Sequence, residues 1–165
     1  MEKSSKYCFD TSVFIEGWVR HYRPSSFPHI WENIAQLLEK KVIVMPREVY
    51  RELRPDNPKD DLSVWIRKFK TAVIEPDVDQ LQVAGEIANK YPASTSYNKR
   101  KSILADHYVV ALAHKYKLKV VTYELGKGSV TKPHIPDLCS EYDVGLKTFS
   151  DFIAEQSWVF TNKNP

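Results

Sequence analysis

Two cysteines are all that the 165 residues contain, Cys8 inside an apolar run and Cys139 near the end. That is too few for a disulfide framework or for a zinc site of clustered cysteines, so both are expected to be buried, reduced and hydrophobic in role. Histidine is sparse too, with five residues scattered along the chain. His107 and His114, seven apart in a helical pattern, read as surface or partly satisfied side chains rather than ligands. Long hydrophobic runs are missing: the first apolar stretch, Tyr7 to Phe9, is cut short by Asp10. Neither a signal peptide nor a membrane span is therefore expected, which predicts a cytoplasmic protein with no membrane partner. There is no internal repeat and no linker long enough to divide the chain, so one domain over residues 1–165 is expected.

What is present is an ordinary globular composition. Apolar residues make up 42% and charged residues 27%, which sets the chain apart from disordered sequences. A chain of this length removes roughly two thirds of its unfolded surface from water, enough for one core. The net charge is only +3. If several carboxylates gather in one pocket, however, the remaining surface is more basic than that total, and a basic surface suits a phosphate-rich partner.

Strand and helix patterns alternate along the chain. Tyr7 to Phe9 is a short apolar strand, and residues 27–40 place Ile30, Trp31, Ile34, Leu37 and Leu38 on one helical face. Val42 to Met45 is a β-branched run, and Pro46 is expected in the first turn of a helix that carries Val49 and Leu53 inward and ends at Pro55 and Pro58. Residues 60–70 predict a further helix through Leu62, Trp65, Ile66 and Phe69, followed by a strand over 72–74. Helices are expected over 77–91 and 103–116, separated by a polar loop at 92–102 that holds Lys99, Arg100 and Lys101. A strand over 119–122, a loop opened by Gly126 and Gly128, and a short helix at Pro136 follow. Last come a strand over 144–147 and a helix capped by Thr148 and Asp151, with Phe152 and Ile153 facing inward. Continuous apolar strands alternating with helices predict a three-layer α/β/α fold around a central, mainly parallel sheet. Ligands of such sheets bind beyond the carboxyl ends of the strands.

Several acidic residues fall at that edge. Asp10 directly follows the first strand, where it can cap the next helix or point into the space beyond the sheet, and Ser12 is placed to orient it. Glu48 and Glu52 are four apart on one helical face, beside Arg47, Arg51 and Arg54 with which they can pair in solvent, or near the sheet edge. Asp106 lies on the line of Val109, Val110 and Ala113, the apolar side of its helix. Placement in a first turn, against the helix dipole, is its plainer explanation. Glu124 stands two residues beyond Val120, Val121 and Thr122, as a solvated loop residue or as a fourth acid. Four carboxylates at one edge repel each other and resist ionisation unless a cation joins them. Their oxygens suit Mg²⁺ or Mn²⁺ rather than zinc.

Three stretches, Cys8-Phe9-Asp10-Thr11-Ser12-Val13-Phe14-Ile15, Val49-Tyr50-Arg51-Glu52-Leu53, and Ala105 to Ala113 followed by Val120-Val121-Thr122-Tyr123-Glu124, together resemble the PIN-domain family of metal-dependent ribonucleases, in a prokaryotic PIN-like branch. The resemblance implies metal ligation and catalysis by Asp10, Glu52, Asp106 and Glu124, the last in place of the family's usual Asp. Ser12, Glu48 and Thr122 would support them. It further implies Mg²⁺ or Mn²⁺ as cofactor, RNA as substrate and endonucleolytic hydrolysis that leaves a 5′-phosphate and a 3′-hydroxyl. A toxin role with an antitoxin partner, and a homodimer, are common among prokaryotic relatives. Lys99, Arg100 and Lys101, just ahead of the helix bearing Asp106, are the expected RNA-binding cations.

Two other families open with an acid after a first strand. A haloacid-dehalogenase-type phosphatase requires a second Asp two residues on, where this chain has Ser12, and a receiver domain requires paired early acids and a late Lys that are not evident. A PIN-like module that binds RNA or protein without turnover is the nearer alternative, with Glu124 as its mark.

Overall fold

The computed structural model describes residues 5–54, 56, 60–91 and 100–158, with only the backbone given for 100–104. Its sheet has five strands in the order β3-β2-β1-β4-β5, all neighbours parallel. They are β1 (Tyr7–Phe9), β2 (Ile43–Pro46), β3 (Val73–Ile74), β4 (Lys119–Thr122) and β5 (Gly145–Thr148). The helices are α1 (Thr11–Glu16), α2 (Pro28–Glu39), α3 (Arg47–Glu52), α4 (Asp61–Ile66), α5 (Val78–Lys90), α6 (Arg100–Tyr116), α7 (Ile135–Glu141) and α8 (Phe149–Glu155). The expected three-layer α/β/α arrangement is what forms, and no helix among the described residues is long and apolar enough to cross a membrane.

The strands lie inside because they are apolar on both faces. All of Tyr7–Phe9 and Ile43–Pro46 is buried, as are Val120 and Val121, which leaves these strands no solvent side and calls for helices above and below. The two coverings differ in kind. On one side α6 contributes Ala105, Val109, Leu112 and Ala113, small and aliphatic, against β1, β2 and β4. Opposite, the core is aromatic: Phe9, Phe14, Phe149 and Phe152 are fully enclosed, and Trp31 touches Trp18, Trp65 and Phe149 with ring centroids 4.8, 5.6 and 6.2 Å away. The Trp31 indole N–H donates to the Tyr22 carbonyl, which satisfies its one polar atom. Between α1 and α2 the chain winds through a π-helical turn, Gly17–His21. A side chain at Gly17 would come within 3.3 Å of both Phe149 and Trp31, so glycine lets the rings approach.

Several elements depart from their sequence expectations. Pro46 is not inside a helix but is the last residue of β2 and the N-cap of α3, paired with Ile74. α3 stops at Glu52, ahead of the prolines, because Arg54 turns left-handed. The helix expected over 60–70 is α4 followed by a 3₁₀ turn, Arg67–Ala72, that Phe69 interrupts with φ −109° and ψ 29°. That break turns the Phe69 ring inward, 4.7 Å from Trp65. α6 begins at Arg100 rather than 103, taking in the end of the expected loop. Lys99 lies outside the described residues, and of Arg100 and Lys101 only the helical backbone is described.

Helix ends show how a chain with five glycines turns corners. Lys41, Arg54, Lys117, Asp143 and Ser157 follow α2, α3, α6, α7 and α8, all with φ between 52° and 55°. Each carries the left-handed closing conformation that glycine usually provides. The Thr148–Asp151 cap forms: the Asp151 N–H donates to the Thr148 hydroxyl, which donates to the Asp151 carboxylate. Cys8 and Cys139 are buried and unpaired as expected. His114 is satisfied by the Tyr142 carbonyl, 2.8 Å away. His107 is a correction to the surface reading: it is buried, and desolvation lowers its pKa to about 4.

Phe149 joins the aromatic side to the sheet through Phe9, Tyr22, Trp31, Tyr123 and Phe152. Phe149→Ala should cost about 3–5 kcal/mol of stability. Urea unfolding checks this, the midpoint falling while the slope holds.

Candidate active site

β1 is the central strand, and Asp10 leaves its carboxyl end with its N–H still donating to the Val121 carbonyl of β4, 3.1 Å away. The side chain is only 3% exposed. Both plain and functional readings of Asp10 meet here, because it caps α1 while facing the space beyond the sheet. Oδ1 accepts the Thr11 N–H at 2.7 Å, and Oδ2 accepts the Ser12 N–H at 3.3 Å, the Ser12 hydroxyl at 2.5 Å and the Thr122 hydroxyl at 3.0 Å. The two hydroxyls are themselves fixed: Ser12 Oγ accepts from Tyr123 N–H and Thr122 Oγ1 from Glu124 N–H, both at 3.0 Å. Every proton in this chain of donors points toward Asp10. Burial pushes the Asp10 carboxyl up and these hydrogen bonds pull it back.

Glu52, the last residue of α3, accepts the Thr11 hydroxyl on Oε2 at 2.5 Å, which brings α3 to the start of α1. Glu124 extends beyond β4, and its Oε2 accepts the N–H of Ile135, the first residue of α7, at 2.9 Å. Asp106 comes from α6, seventh in that helix rather than in its first turn, so the dipole explanation does not apply. Its carboxyl is held well above the usual range by burial and then by the charges of Asp10, Glu124 and Glu52. No cation contributes among the described residues. Glu124 is raised in turn by burial, opposed by the Ile135 N–H, and raised again by Asp10. Four acids from four segments thus act on one another at the sheet edge.

Glu48 does not join them. Its Oε1 pairs with Arg47 at 2.9 Å, and Arg47 reaches on to Glu75 at 2.8 Å. Two residues absent from the sequence reading shape the site. Thr11 selects Glu52 over Glu48, and Asp137 accepts the N–H groups of Gly128 at 2.7 Å and His134 at 2.9 Å, which folds the loop after Glu124 back onto α7. Asp137 stands three residues beyond His134, the spacing of a capping acid, and that signal was available. Thr11 carried no local signal beyond adjoining Asp10.

The donor set is all oxygen and suits a hard divalent ion. The acids do not yet close around one point: among the described residues, no three His, Cys, Asp or Glu side chains are close enough to hold an ion together. The uncompensated repulsion on Asp106 is the observation that fits a cation.

The profile of the family DUF4411, a domain of unknown function, matches residues 7–160. No curated protein matches the chain. Among solved structures, FitAB bound to the IR36 DNA fragment is similar at TM-score 0.50 and 14% identity, with 86% of this chain and 94% of that one covered. VapBC2 from Rickettsia felis bound to a promoter DNA fragment gives 0.49 and 13%, covering 87% and 98%. VapBC-1 from nontypeable Haemophilus influenzae gives 0.49 and 16%, again covering 87% and 98%. At such identities the likeness is one of fold.

Asp106 binds its proton more tightly folded than unfolded. Its contribution to stability is therefore full below the ordinary value of 3.8 and is lost as pH rises through the raised one. With chelator present, Asp106→Asn should melt above wild type at pH 8 by roughly 2–4 °C, the effect of about 1 kcal/mol in a chain of this size. The gap should close toward pH 4. A variant that melts below wild type at pH 8 contradicts the charge repulsion.

Proposed function

We propose, for a chain that belongs to the DUF4411 family and has a PIN-like fold, a Mg²⁺- or Mn²⁺-dependent endoribonuclease whose ligands and catalytic groups are Asp10, Glu52, Asp106 and Glu124. The observation that carries this reading is Asp106: a carboxyl in the middle of a helix, half-buried, whose charge is opposed by three other carboxylates and balanced by no cation among the described residues. Such an arrangement costs stability and is explained by a bound cation. A divalent ion held there supplies an activated water and charge neutralisation at the scissile phosphate.

The protein's own groups do the rest. Asp10 cannot rotate, because Thr11, Ser12 and Thr122 hold both of its oxygens, so it is a fixed anion at the end of the central strand. Ser12 and Thr122 are supporting donors, and Glu48, which pairs with Arg47, is proposed as a more distant support. Burial and the charges of Asp10, Glu124 and Glu52 disfavour ionisation of Asp106. RNA is the proposed substrate, with Lys99, Arg100 and Lys101, which precede Asp106 in the sequence, as the proposed phosphate contacts that give affinity without sequence choice. The family resemblance extends the proposal to a toxin restrained by an antitoxin and acting as a homodimer.

One observation favours a second reading, a non-catalytic module that binds RNA or protein: Glu124 already accepts the Ile135 N–H, and no three acids stand at ion-holding distance among the described residues. Cleavage of labelled RNA with Mn²⁺, against a chelated control, decides between the two. Asp10→Asn and Asp106→Asn should each lower cleavage by more than the roughly 10–100-fold that loss of a merely supporting group costs, with the fold intact. Wild-type turnover in both variants would sink the site. In metal titrations Glu52→Gln should lose more affinity than Glu48→Gln, and the reverse order reassigns the ligand.

A further inference from the structure

Beside the carboxylates, a pocket of about 620 Å³ opens between the end of α1 with its π-helical turn, the end of α3 and the start of α4. Glu52 lines it, so the pocket and the acid cluster share a wall. Its apolar side is made by Ile15, Trp18 and Val19. Ile15 and Val19 are 42% and 50% exposed. Trp18 is half-buried and held by rings on two sides, Trp31 at 4.8 Å and Trp65 at 5.1 Å, which makes it a rigid platform.

The polar side carries both signs. Arg23 is aimed by its Nε, which donates to the Val19 carbonyl at 2.8 Å and leaves the terminal nitrogens of the guanidinium for a ligand. Asp60 is committed, since its Oδ1 accepts the N–H and hydroxyl of Ser63. Asp61, next to it, is exposed and makes no hydrogen bond among the described residues. Three carboxylates, Glu52, Asp60 and Asp61, outnumber the two guanidinium groups that line the pocket, Arg23 and Arg54, so it does not favour a phosphate. A flat neutral group that presents both donors and acceptors suits it instead.

We propose that this pocket binds an unpaired guanine base of the substrate, next to the phosphate at the carboxylates, and so sets sequence preference. Among the RNA bases guanine presents N1–H and N2–H donors side by side, which a carboxylate such as Asp61 accepts in pair, and the O6 and N7 acceptors that match a guanidinium such as that of Arg23. Trp18, Ile15 and Val19 cover the base face, the usual way proteins hold a splayed base of single-stranded RNA. The inference rests on the ribonuclease reading for its place beside the scissile phosphate, but the binding chemistry belongs to the pocket alone.

The test is equilibrium binding of the full chain, with chelator present, to the pentanucleotides UUGUU, UUAUU, UUCUU and UUUUU, together with sequencing of the ends that Mn²⁺-dependent cleavage makes in an unstructured RNA. Guanine should bind roughly tenfold tighter than the other three, as one good paired contact provides. Asp61→Asn and Arg23→Ala, both at exposed positions, should each bring the four affinities together and remove guanine enrichment at a fixed distance from the cut. Equal affinities in wild type, or selectivity that survives both substitutions, overturns the proposal and leaves the pocket to another occupant such as a peptide. Selective binding without any Mn²⁺-dependent cleavage keeps the guanine pocket and overturns the ribonuclease reading. Cleavage without base selectivity does the opposite.

Discussion

Everything at the sheet edge depends on keeping one carboxylate, Asp10, ionisable while it is 3% exposed. An isolated buried carboxylate is too costly to remain charged, and the chain meets this with four donors drawn from two segments. Three are backbone and side-chain groups of the α1 start, and the fourth, the Thr122 hydroxyl, comes from the end of β4. Because Tyr123 and Glu124 donate to the same two hydroxyls, the backbone beyond β4 is locked by the requirement that Asp10 be satisfied. The position of Glu124 is thus a consequence of solvating Asp10. The strand order has the same effect at larger scale, since only with β1 in the middle can β4 lend Thr122 to it.

The two coverings of the sheet divide the work. α6 is a long helix of small and aliphatic buried residues, and small residues let it lie close to β1, β2 and β4 and to α5, α3 and α7 together. That closeness leaves Asp106 half-buried. The aromatic side is different, because large rings pack less evenly at the rim of the core, and Trp18 lines the pocket there. The π-helical turn at Gly17 and the 3₁₀ turn at Phe69 are both places where regular helix yields to ring packing. Irregular winding here has a packing cause.

The layered fold was legible because the strands are short, apolar on both faces and separated by helices with clear periodicity. Asp10 was legible as an acid directly after the central strand, and Asp106 as an acid on an apolar line. Helical spacing alone did not choose between Glu48 and Glu52, since four residues along a helix bring both to one face, and only the family resemblance pointed to Glu52. Thr11, 41 positions away, makes that choice through space. Helix ends were misjudged for a related reason: Arg54 closes α3 left-handed without glycine, so nothing local announced the stop before Pro55. The guanine pocket draws its walls from α1, the following turn, α3 and α4, and no single window of sequence contains it.

The hydrogen bonds on Glu52 and Glu124 admit opposite interpretations, and their geometry favours one. A carboxylate has two oxygens, and each of these two uses Oε2 for a protein donor, Thr11 or the Ile135 N–H. Bonds of that kind orient carboxylates that bind ions, and ligating carboxylates are ordinarily hydrogen-bonded in this way. If the site were a relic, neutral residues would relieve the repulsion felt by Asp106, and its burial among three acids would serve nothing. Four acids acting on Asp106 and on one another, with one oxygen of each glutamate bound to a protein donor, is the arrangement on which the proposed cation site rests. Glu124 in place of a shorter acid fits the same scheme, since its longer side chain reaches the α7 amide while its charge still acts on Asp106.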